Sequence, residues 1–251
     1  MFREWAALAT VLILAGSSAG SEVPAIDPAA MLRKADASRD AFAEGVIRLR
    51  VVVNERGKKP LASVLQLFVE GTDRSLLVFR EGKQQGRKIL TLGDRVFLIV
   101  PGAARPIPVS KTQRLMGAAS FGDVARLRFT DEYEAILRQR EERIAGVSGE
   151  TPCRVLDLAA KRLGSAYPAA VLWVGRDDGL ARRLRLSLAS GKEAKDVWFT
   201  SYDDEHRIAT MEIRDLLTAG GANVTNLVFE SYEKRPLDPA TFDPEGARAV
   251  P

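Results

Sequence analysis

The sequence predicts a mainly β protein with a small α-helical part, organised around one curved antiparallel sheet. Segments rich in β-branched and aromatic residues follow one another along most of the chain. Turn-forming residues separate them at intervals of roughly ten residues, which is typical of an antiparallel meander, sandwich or barrel. Several of these segments alternate between apolar and polar residues, which indicates strands with one face buried and one in water.

One amphipathic helix is predicted before the first strand. Asp27 followed by Pro28 is the pattern of a helix N-cap with proline at the first helical position. Four apolar residues then recur at approximately helical spacing, namely Met31, Leu32, Ala35 and Phe42. We therefore expect a helix over residues 28–43, lying across the concave face of the sheet to bury its apolar side.

The predicted strands form two runs. The first run comprises residues 46–53, 61–69, 76–80, 88–92 and 95–100. The second comprises residues 133–144, 153–160, 170–175, 180–188, 194–202, 208–213 and 223–232. Leu184 and Leu186 alternate with Arg183 and Arg185, as expected for a one-sided strand, whereas residues 96–100 are apolar throughout. That part of the sheet is therefore expected to be covered on both sides.

The middle of the chain interrupts the strands. Residues 113–127 are interpreted as two short helices broken around Gly117. Met116 is flexible, Gly117 can act as a hinge and Phe121 lies next to a glycine, so this insertion is a candidate lid. The alternative is ordinary packing, with the apolar residues forming a solid core. Residues 236–251, after the last strand, are expected to be a tail.

Composition removes several function classes. The chain has 251 residues, 46% of them hydrophobic, and a net charge of +4, an excess too small to indicate nucleic-acid binding. The single Cys153 and the single His206 are too few for a structural zinc site. His206 lies in a polar run predicted to be a hairpin tip, so we expect no hydrolytic triad. The sequence predicts no enzyme, no catalytic residue, no metal and no cofactor.

The N-terminus predicts export. Arg3 begins a short charged region, residues 5–15 are apolar, and small residues follow at positions 16–19. This is the pattern of a cleaved signal peptide, and the apolar run is shorter than the roughly 20 residues that span a bilayer. We expect a signal peptide over residues 1–19, one domain over residues 20–251 and a periplasmic location.

Several short motifs in this order resemble the outer-membrane lipoprotein-sorting family, the LolA-like proteins. They are GDRVFLIVP at 93–101, PIP at 106–108, RLMG at 114–117, SFGDV at 120–124, GKEAK at 191–195 and VWFT at 197–200. The chain departs from the family's pattern at residues 118–121, where Ala-Ala-Ser-Phe replaces Ser-Asp-Phe-Ser. The resemblance implies an incomplete antiparallel β-barrel, closed by helices, whose apolar interior takes the acyl chains of lipoproteins or lipids.

The ligand-binding candidates are the residues predicted to face this interior. From the strands they are Leu49, Val51, Leu65, Leu67, Leu90, Phe97, Leu184 and Leu186, and from the candidate lid Leu115, Met116 and Phe121. The resemblance implies a monomeric carrier moving cargo toward the outer membrane, with an inner-membrane transporter or exporter and an outer-membrane acceptor as partners. The alternative is a periplasmic lipid-sensing regulatory domain that binds a membrane-protein partner.

A basic group surrounds one predicted hairpin of the second run. Its members are Arg176, Arg182, Arg183 and Arg185. Arginine binds phosphate bidentately, so this group is a candidate for contact with anionic lipid headgroups or with an acidic partner. The alternative is a solvated outer face of the sheet.

Overall fold

The computed structural model describes residues 26–39, 43–110, 114–120, 128–146, 149–218 and 221–251. The predicted signal peptide, residues 1–19, lies outside the described residues, and so do Phe42 of the predicted helix and Phe121 of the candidate lid. None of the described helices has both the length and the apolar character needed to cross a bilayer.

Sixteen strands are described. They are β1 (Glu44–Asn54), β2 (Leu61–Glu70), β3 (Arg74–Phe79), β4 (Lys88–Leu92), β5 (Arg95–Ile99), β6 (Ile107–Val109), β7 (Arg114–Met116), β8 (Ala119–Ser120), β9 (Tyr133–Leu137), β10 (Glu142–Gly146), β11 (Gly149–Ala160), β12 (Ala169–Gly175), β13 (Ala181–Ser187), β14 (Glu193–Tyr202), β15 (Ile208–Asp215) and β16 (Val224–Lys234). The helices are α1 (Pro28–Ala37), α2 (Phe129–Glu132), a 3-10 helix (Pro239–Phe242) and α3 (Pro244–Ala249).

Fourteen strands form one antiparallel sheet in the order β10-β11-β12-β13-β14-β15-β16-β1-β2-β3-β4-β5-β6, with β9 pairing beside β10 on the long strand β11. The first strand of the chain pairs with the last, from Gly45 opposite Lys234 to Asn54 opposite Val224. This pairing joins the two runs of strands into one continuous surface. The sheet is not closed, because β6 and β10 end the order, and the predicted fold class is confirmed.

Helix α1 begins as predicted and ends earlier. Asp27 accepts a hydrogen bond from the backbone N–H of Ala29 at 2.9 Å, and Pro28 occupies the first turn. The helix ends at Ala37, where the Ser38 hydroxyl donates to the Ala35 carbonyl at 2.8 Å. A side-chain hydrogen bond of this kind competes with the backbone hydrogen bonds of the helix. This competition accounts for a helix that ends before residue 43.

The middle of the chain differs from the prediction. Strands β7 and β8 form a separate two-stranded hairpin, so the helical interpretation is wrong for residues 114–120. Gly117 lies in its turn with φ +53°, a left-handed conformation that glycine adopts without a steric penalty and that ends a helix. Likewise, the strand predicted over residues 133–144 is two strands, β9 and β10, that pair with different ends of β11.

The sheet carries apolar residues on both faces in its first run. One row across β1 to β4 is Ile47, Leu67, Leu77 and Ile89, and it belongs to the cluster that contains Leu32 of α1. The neighbouring row, on the opposite face, is Val46, Phe68, Leu76, Leu90 and Phe97.

The C-terminal residues cover this second row. Phe242 of the 3-10 helix and Ala247 of α3 are buried against it, and the Lys88 ammonium donates to carbonyls of the last turn of α3, at 2.7 Å for Arg248. Cationic donors at a helix C-terminus are stabilising. Residues 236–251 are therefore a packed element, whereas the sequence predicted a tail, and the expected coverage of both sides near residues 96–100 is confirmed.

Candidate functional site

The candidate site is the sheet face beneath α1, which we call the covered face. Leu32 and Ala35 of α1, Phe129 of α2 and Ala118 and Ala119 of the β7–β8 hairpin are buried on it. The strand registers define a continuous row across this face. The row runs through Val53, Thr225, Ile213, Val197, Leu184, Leu172 and Leu156. Only one member, Thr225, carries a polar side chain, so the surface suits apolar chains.

Six of the predicted ligand-binding residues lie together on the covered face. They are Leu49, Val51, Leu65, Leu67, Leu184 and Leu186. They come from both runs of strands, and the pairing of β1 with β16 brings the two groups into one cluster.

Leu90 and Phe97 lie on the opposite face, and their predicted orientation is wrong. Leu90 pairs with Leu76 and Phe97, all three within the cluster beneath the C-terminal helices. Side chains alternate strictly along a strand, so a displacement of one residue transfers a side chain to the other face. Their neighbours Ile89 and Val96 lie on the covered face instead.

The candidate lid is only partly described. Leu115 and Met116 lie on β7, but their side chains, like the whole of Phe121, are outside the described residues. Ala118 and Ala119 of this hairpin are buried, 4% and 0% exposed, and neither was among the predicted site residues. Their small side chains are the sequence feature that could have indicated this position, because small residues let the hairpin backbone approach the sheet closely.

Thr225 holds the hairpin against the sheet. Its hydroxyl accepts the backbone N–H of Ala118 at 2.8 Å, and its side chain is 1% exposed. A Cβ atom on the adjacent Gly117 would lie 2.4 Å from this hydroxyl and 2.7 Å from a methyl of Val53. The hairpin therefore lies on the junction of β1 and β16 with no space for a side chain at its turn.

Asp36 holds α2 against α1. This carboxylate is 1% exposed and accepts the N–H groups of Phe129 and Thr130 at 2.6 and 2.9 Å, and the Thr130 hydroxyl at 2.7 Å. Buried charge is stable only when hydrogen bonds satisfy it, and here two donors are the N-terminal N–H groups of α2. Two buried polar groups thus hold the cover together: Asp36 joins α1 to α2, and Thr225 fixes the hairpin to the sheet.

Two tyrosines border the covered face at one end. The Tyr202 hydroxyl donates to the Ala181 carbonyl, and the Tyr232 hydroxyl donates to the Ile208 carbonyl at 2.5 Å. Burial raises the pKa of the Tyr202 phenol well above its ordinary value, so this group stays neutral. Sequence alternation did not single out either residue.

The predicted basic group is ion-paired, and two of its members, Arg183 and Arg185, lie on the face opposite to Leu184. Arg183 lies between two indole rings, 5.1 Å from Trp173 and 4.3 Å from Trp198, and binds both oxygens of Asp196 at 2.7 and 2.6 Å. The side chain of Arg183 is only 17% exposed. The other three arginines of the group also pair with acidic side chains.

His206 occupies the tip of the β14–β15 hairpin, as predicted. Its φ of +61° is unusual for a residue with a side chain. Asp203 organises the turn by accepting N–H groups of Glu205 and Arg207 at 3.0 and 2.9 Å. These bonds account for the polar run as turn chemistry.

Cys153 is expected to be unreactive in the folded protein. Its side chain is fully buried and is not in a disulfide. Burial raises the pKa of this thiol to about 11, and the thiolate is the reactive form. At pH 8 we expect no measurable reaction of the folded protein with a disulfide reagent such as DTNB. After unfolding in guanidinium, we expect the reagent to release one equivalent of thionitrobenzoate per protein chain. Rapid reaction of the folded protein would contradict the placement of Cys153.

The comparisons with known proteins agree with this architecture. A family described as "uncharacterized protein" has a sequence model that matches residues 71–246, more than half of the chain. The chain belongs to this family. No protein with a curated description matches it.

Solved structures show that this chain has the LolA-like fold. A LolA superfamily protein from Nitrosomonas europaea is 24% identical, with a TM-score of 0.78 over 88% of this chain and 99% of that one. A DUF1329 family protein from Desulfovibrio piger is 21% identical, with a TM-score of 0.72 over 87% and 98%. An outer membrane lipoprotein-sorting protein domain from Vibrio parahaemolyticus is 15% identical, with a TM-score of 0.72 over 88% and 98%. The predicted resemblance is confirmed at the level of the fold.

Proposed function

We propose that this protein is a periplasmic carrier that binds the acyl chains of lipoproteins or lipids on the covered face and transfers them toward the outer membrane. The observation that supports it most is the continuous apolar row across the sheet beneath a cover of short elements. Each methylene moved from water into apolar surroundings contributes about 0.8 kcal/mol, so acyl chains in transit need such a surface.

The way the cover is attached is consistent with loading and release. Helix α1, helix α2 and the β7–β8 hairpin are short, and buried hydrogen bonds at Asp36 and Thr225 hold them in place. A carrier needs two states that differ in affinity for its cargo and no bond chemistry. Displacement of this cover would expose the covered face, and its return would enclose the chain.

The signal-peptide pattern supports the periplasmic part of the proposal, and the fold shared with a lipoprotein-sorting domain supports the class of cargo. An inner-membrane transporter or exporter that loads the carrier, and an outer-membrane acceptor that unloads it, complete the proposed pathway. Neither partner is needed for the test of cargo binding, which uses the purified protein alone.

Native mass spectrometry of protein purified from a host with membranes tests the proposal. We expect a bound acyl-chain species at near-stoichiometric level, and its loss in Leu186→Glu, because a carboxylate on the covered face repels an apolar chain. Val228→Glu is the matched control. Val228 is 37% exposed and follows the buried Leu227 on β16, so it lies on the other face. We expect this variant to keep its lipid.

A second variant covers the case in which Leu186→Glu does not fold. Ala170 pairs with Leu186 on the covered face, so Ala170→Phe fills volume there without adding charge. We expect this variant to select shorter acyl chains in the extracted lipid. A wild-type protein with no bound species that also fails to take up added lipid or lipopeptide would exclude the carrier function.

A further inference from the structure

A cavity lies beside Trp198, whose side chain is on the side of the sheet away from the row of Leu184 and Val197. It measures about 500 Å³, within the range of small-molecule sites, and lies between the β10–β11 hairpin and strands β13 to β15. Its lining residues include Ile144, Arg182, Trp198, Glu212 and Arg214, together with Phe199 and Tyr202, which also belong to the covered-face cluster. Trp198 pairs across the sheet with Arg183 and Glu212, which places its ring opposite to the covered face.

Two residues that line this cavity, Trp198 and Arg182, each carry a buried donor with no acceptor among the described residues. The Nε1 atom of Trp198 and one terminal nitrogen of Arg182, Nη1, are buried and have no hydrogen-bond partner among the described residues. Buried donors are nearly always paired, and an unpaired one costs about 1–3 kcal/mol. Trp173, on the other side of Arg183, shows the usual arrangement, because its Nε1 atom donates to Glu142 at 2.8 Å.

The carboxylates nearest to Trp198 and Arg182 already form ion pairs with arginines. Asp196 binds Arg183 through both oxygens, and Glu212 accepts from Nε of Arg214 at 2.6 Å. Asp178 pairs with the other terminal nitrogen of Arg182, Nη2. These carboxylates therefore serve other donors, and a ligand can supply the acceptor that the two unpaired donors lack.

We propose that this cavity binds an organic oxyanion, a carboxylate or a phosphate ester joined to a short apolar group. One of its oxygens accepts the N–H groups of Trp198 and Arg182, because a guanidinium forms its strongest hydrogen bonds with anionic oxygen. The apolar group contacts Ile144 and the indole ring of Trp198. A small soluble acid and a phospholipid headgroup both present this chemistry.

Isothermal titration calorimetry with phenyl phosphate tests the site in its soluble form. Dihexanoyl phosphatidic acid, used below its micelle concentration, tests the lipid headgroup, and benzyl alcohol is the neutral control. We expect saturable binding of at least one anion, with benzyl alcohol binding at least 10-fold more weakly. Binding of phenyl phosphate identifies a soluble acid, and binding of the phosphatidic acid alone identifies a headgroup.

Trp198→Phe is the decisive variant, because it removes the N–H group and retains an aromatic ring. We expect it to weaken anion binding about 10-fold, since a hydrogen bond to a charged group is lost. Trp173→Phe is the matched control, because this indole also flanks Arg183 but donates to Glu142. Its affinity should stay within about twofold of wild type.

The proposal is overturned if neither anion binds, or if the two tryptophan variants lose affinity equally. Ala170→Phe fills volume on the covered face at a residue that does not line the cavity, so this variant should keep the wild-type affinity for the anion. The test measures anion affinity alone, so its outcome does not depend on whether the protein carries acyl chains.

Discussion

Replacing Asp36 with alanine is expected to lower the free energy of unfolding by about 3 kcal/mol. The carboxylate is 1% exposed and accepts three hydrogen bonds from Phe129 and Thr130. Its removal leaves the first N–H groups of α2 without an acceptor in apolar surroundings. Asp36→Asn keeps one acceptor oxygen and should lie between alanine and wild type.

Chemical denaturation followed by circular dichroism measures this effect, and Asp27→Ala is the matched control. Asp27 is an exposed carboxylate that caps the other end of α1, so its loss should cost about 1 kcal/mol. An effect of Asp36→Ala no larger than that of Asp27→Ala would mean that the carboxylate does not hold α2 in place.

Replacing Gly117 with alanine is expected to displace the β7–β8 hairpin from the sheet. The substitution adds a Cβ at 2.4 Å from the Thr225 hydroxyl, and φ is +53°, so a clash is added to the cost of a left-handed conformation. We expect a loss of about 3 kcal/mol if the hairpin stays in place. If it moves away, the hydrogen bond from Ala118 to Thr225 breaks instead.

Gly93→Ala separates the two causes. Gly93 has φ +57°, close to that of Gly117, but a Cβ there would meet nothing within 4 Å. This control should lose only about 1 kcal/mol from backbone conformation. Hydrogen exchange of the Ala118 amide is the local readout, and we expect faster exchange in Gly117→Ala than in Gly93→Ala. Equal exchange in both variants would contradict the close contact.

The two replacements act on different parts of the cover, which makes them useful for the proposed carrier. Asp36 joins α1 to α2, whereas Gly117 positions the hairpin on β1 and β16. If the cover controls access to the covered face, each variant should exchange bound lipid faster than its control. A change in stability without a change in exchange would separate the structural role of the cover from its proposed role in loading.

Local sequence patterns predicted the structure correctly where a residue type strongly favours one conformation, or where only one face of a strand is apolar. Asp27 and Pro28 predicted the start of α1, and the alternation of Leu184 and Leu186 with arginines predicted their face. In strands β4 and β5 both faces are apolar, so alternation could not assign Leu90 and Phe97. Only the pairing of Leu90 with Leu76 decides which face it occupies.

The sequence by itself determined most strands of the two runs, the start of the first helix and the lack of a second cysteine to pair with Cys153. Its short motifs also indicated the resemblance to the LolA-like fold. The tertiary structure alone decided that residues 236–251 cover the second face and that residues 114–120 form a hairpin. It also showed that the Trp198 N–H has no acceptor in the described part of the chain. The physical reason for this division is the distance along the chain over which each interaction acts. Caps and alternation act between near neighbours in the chain, whereas burial of a face, close approach at Gly117 and the pairing of a buried donor depend on segments far apart in sequence.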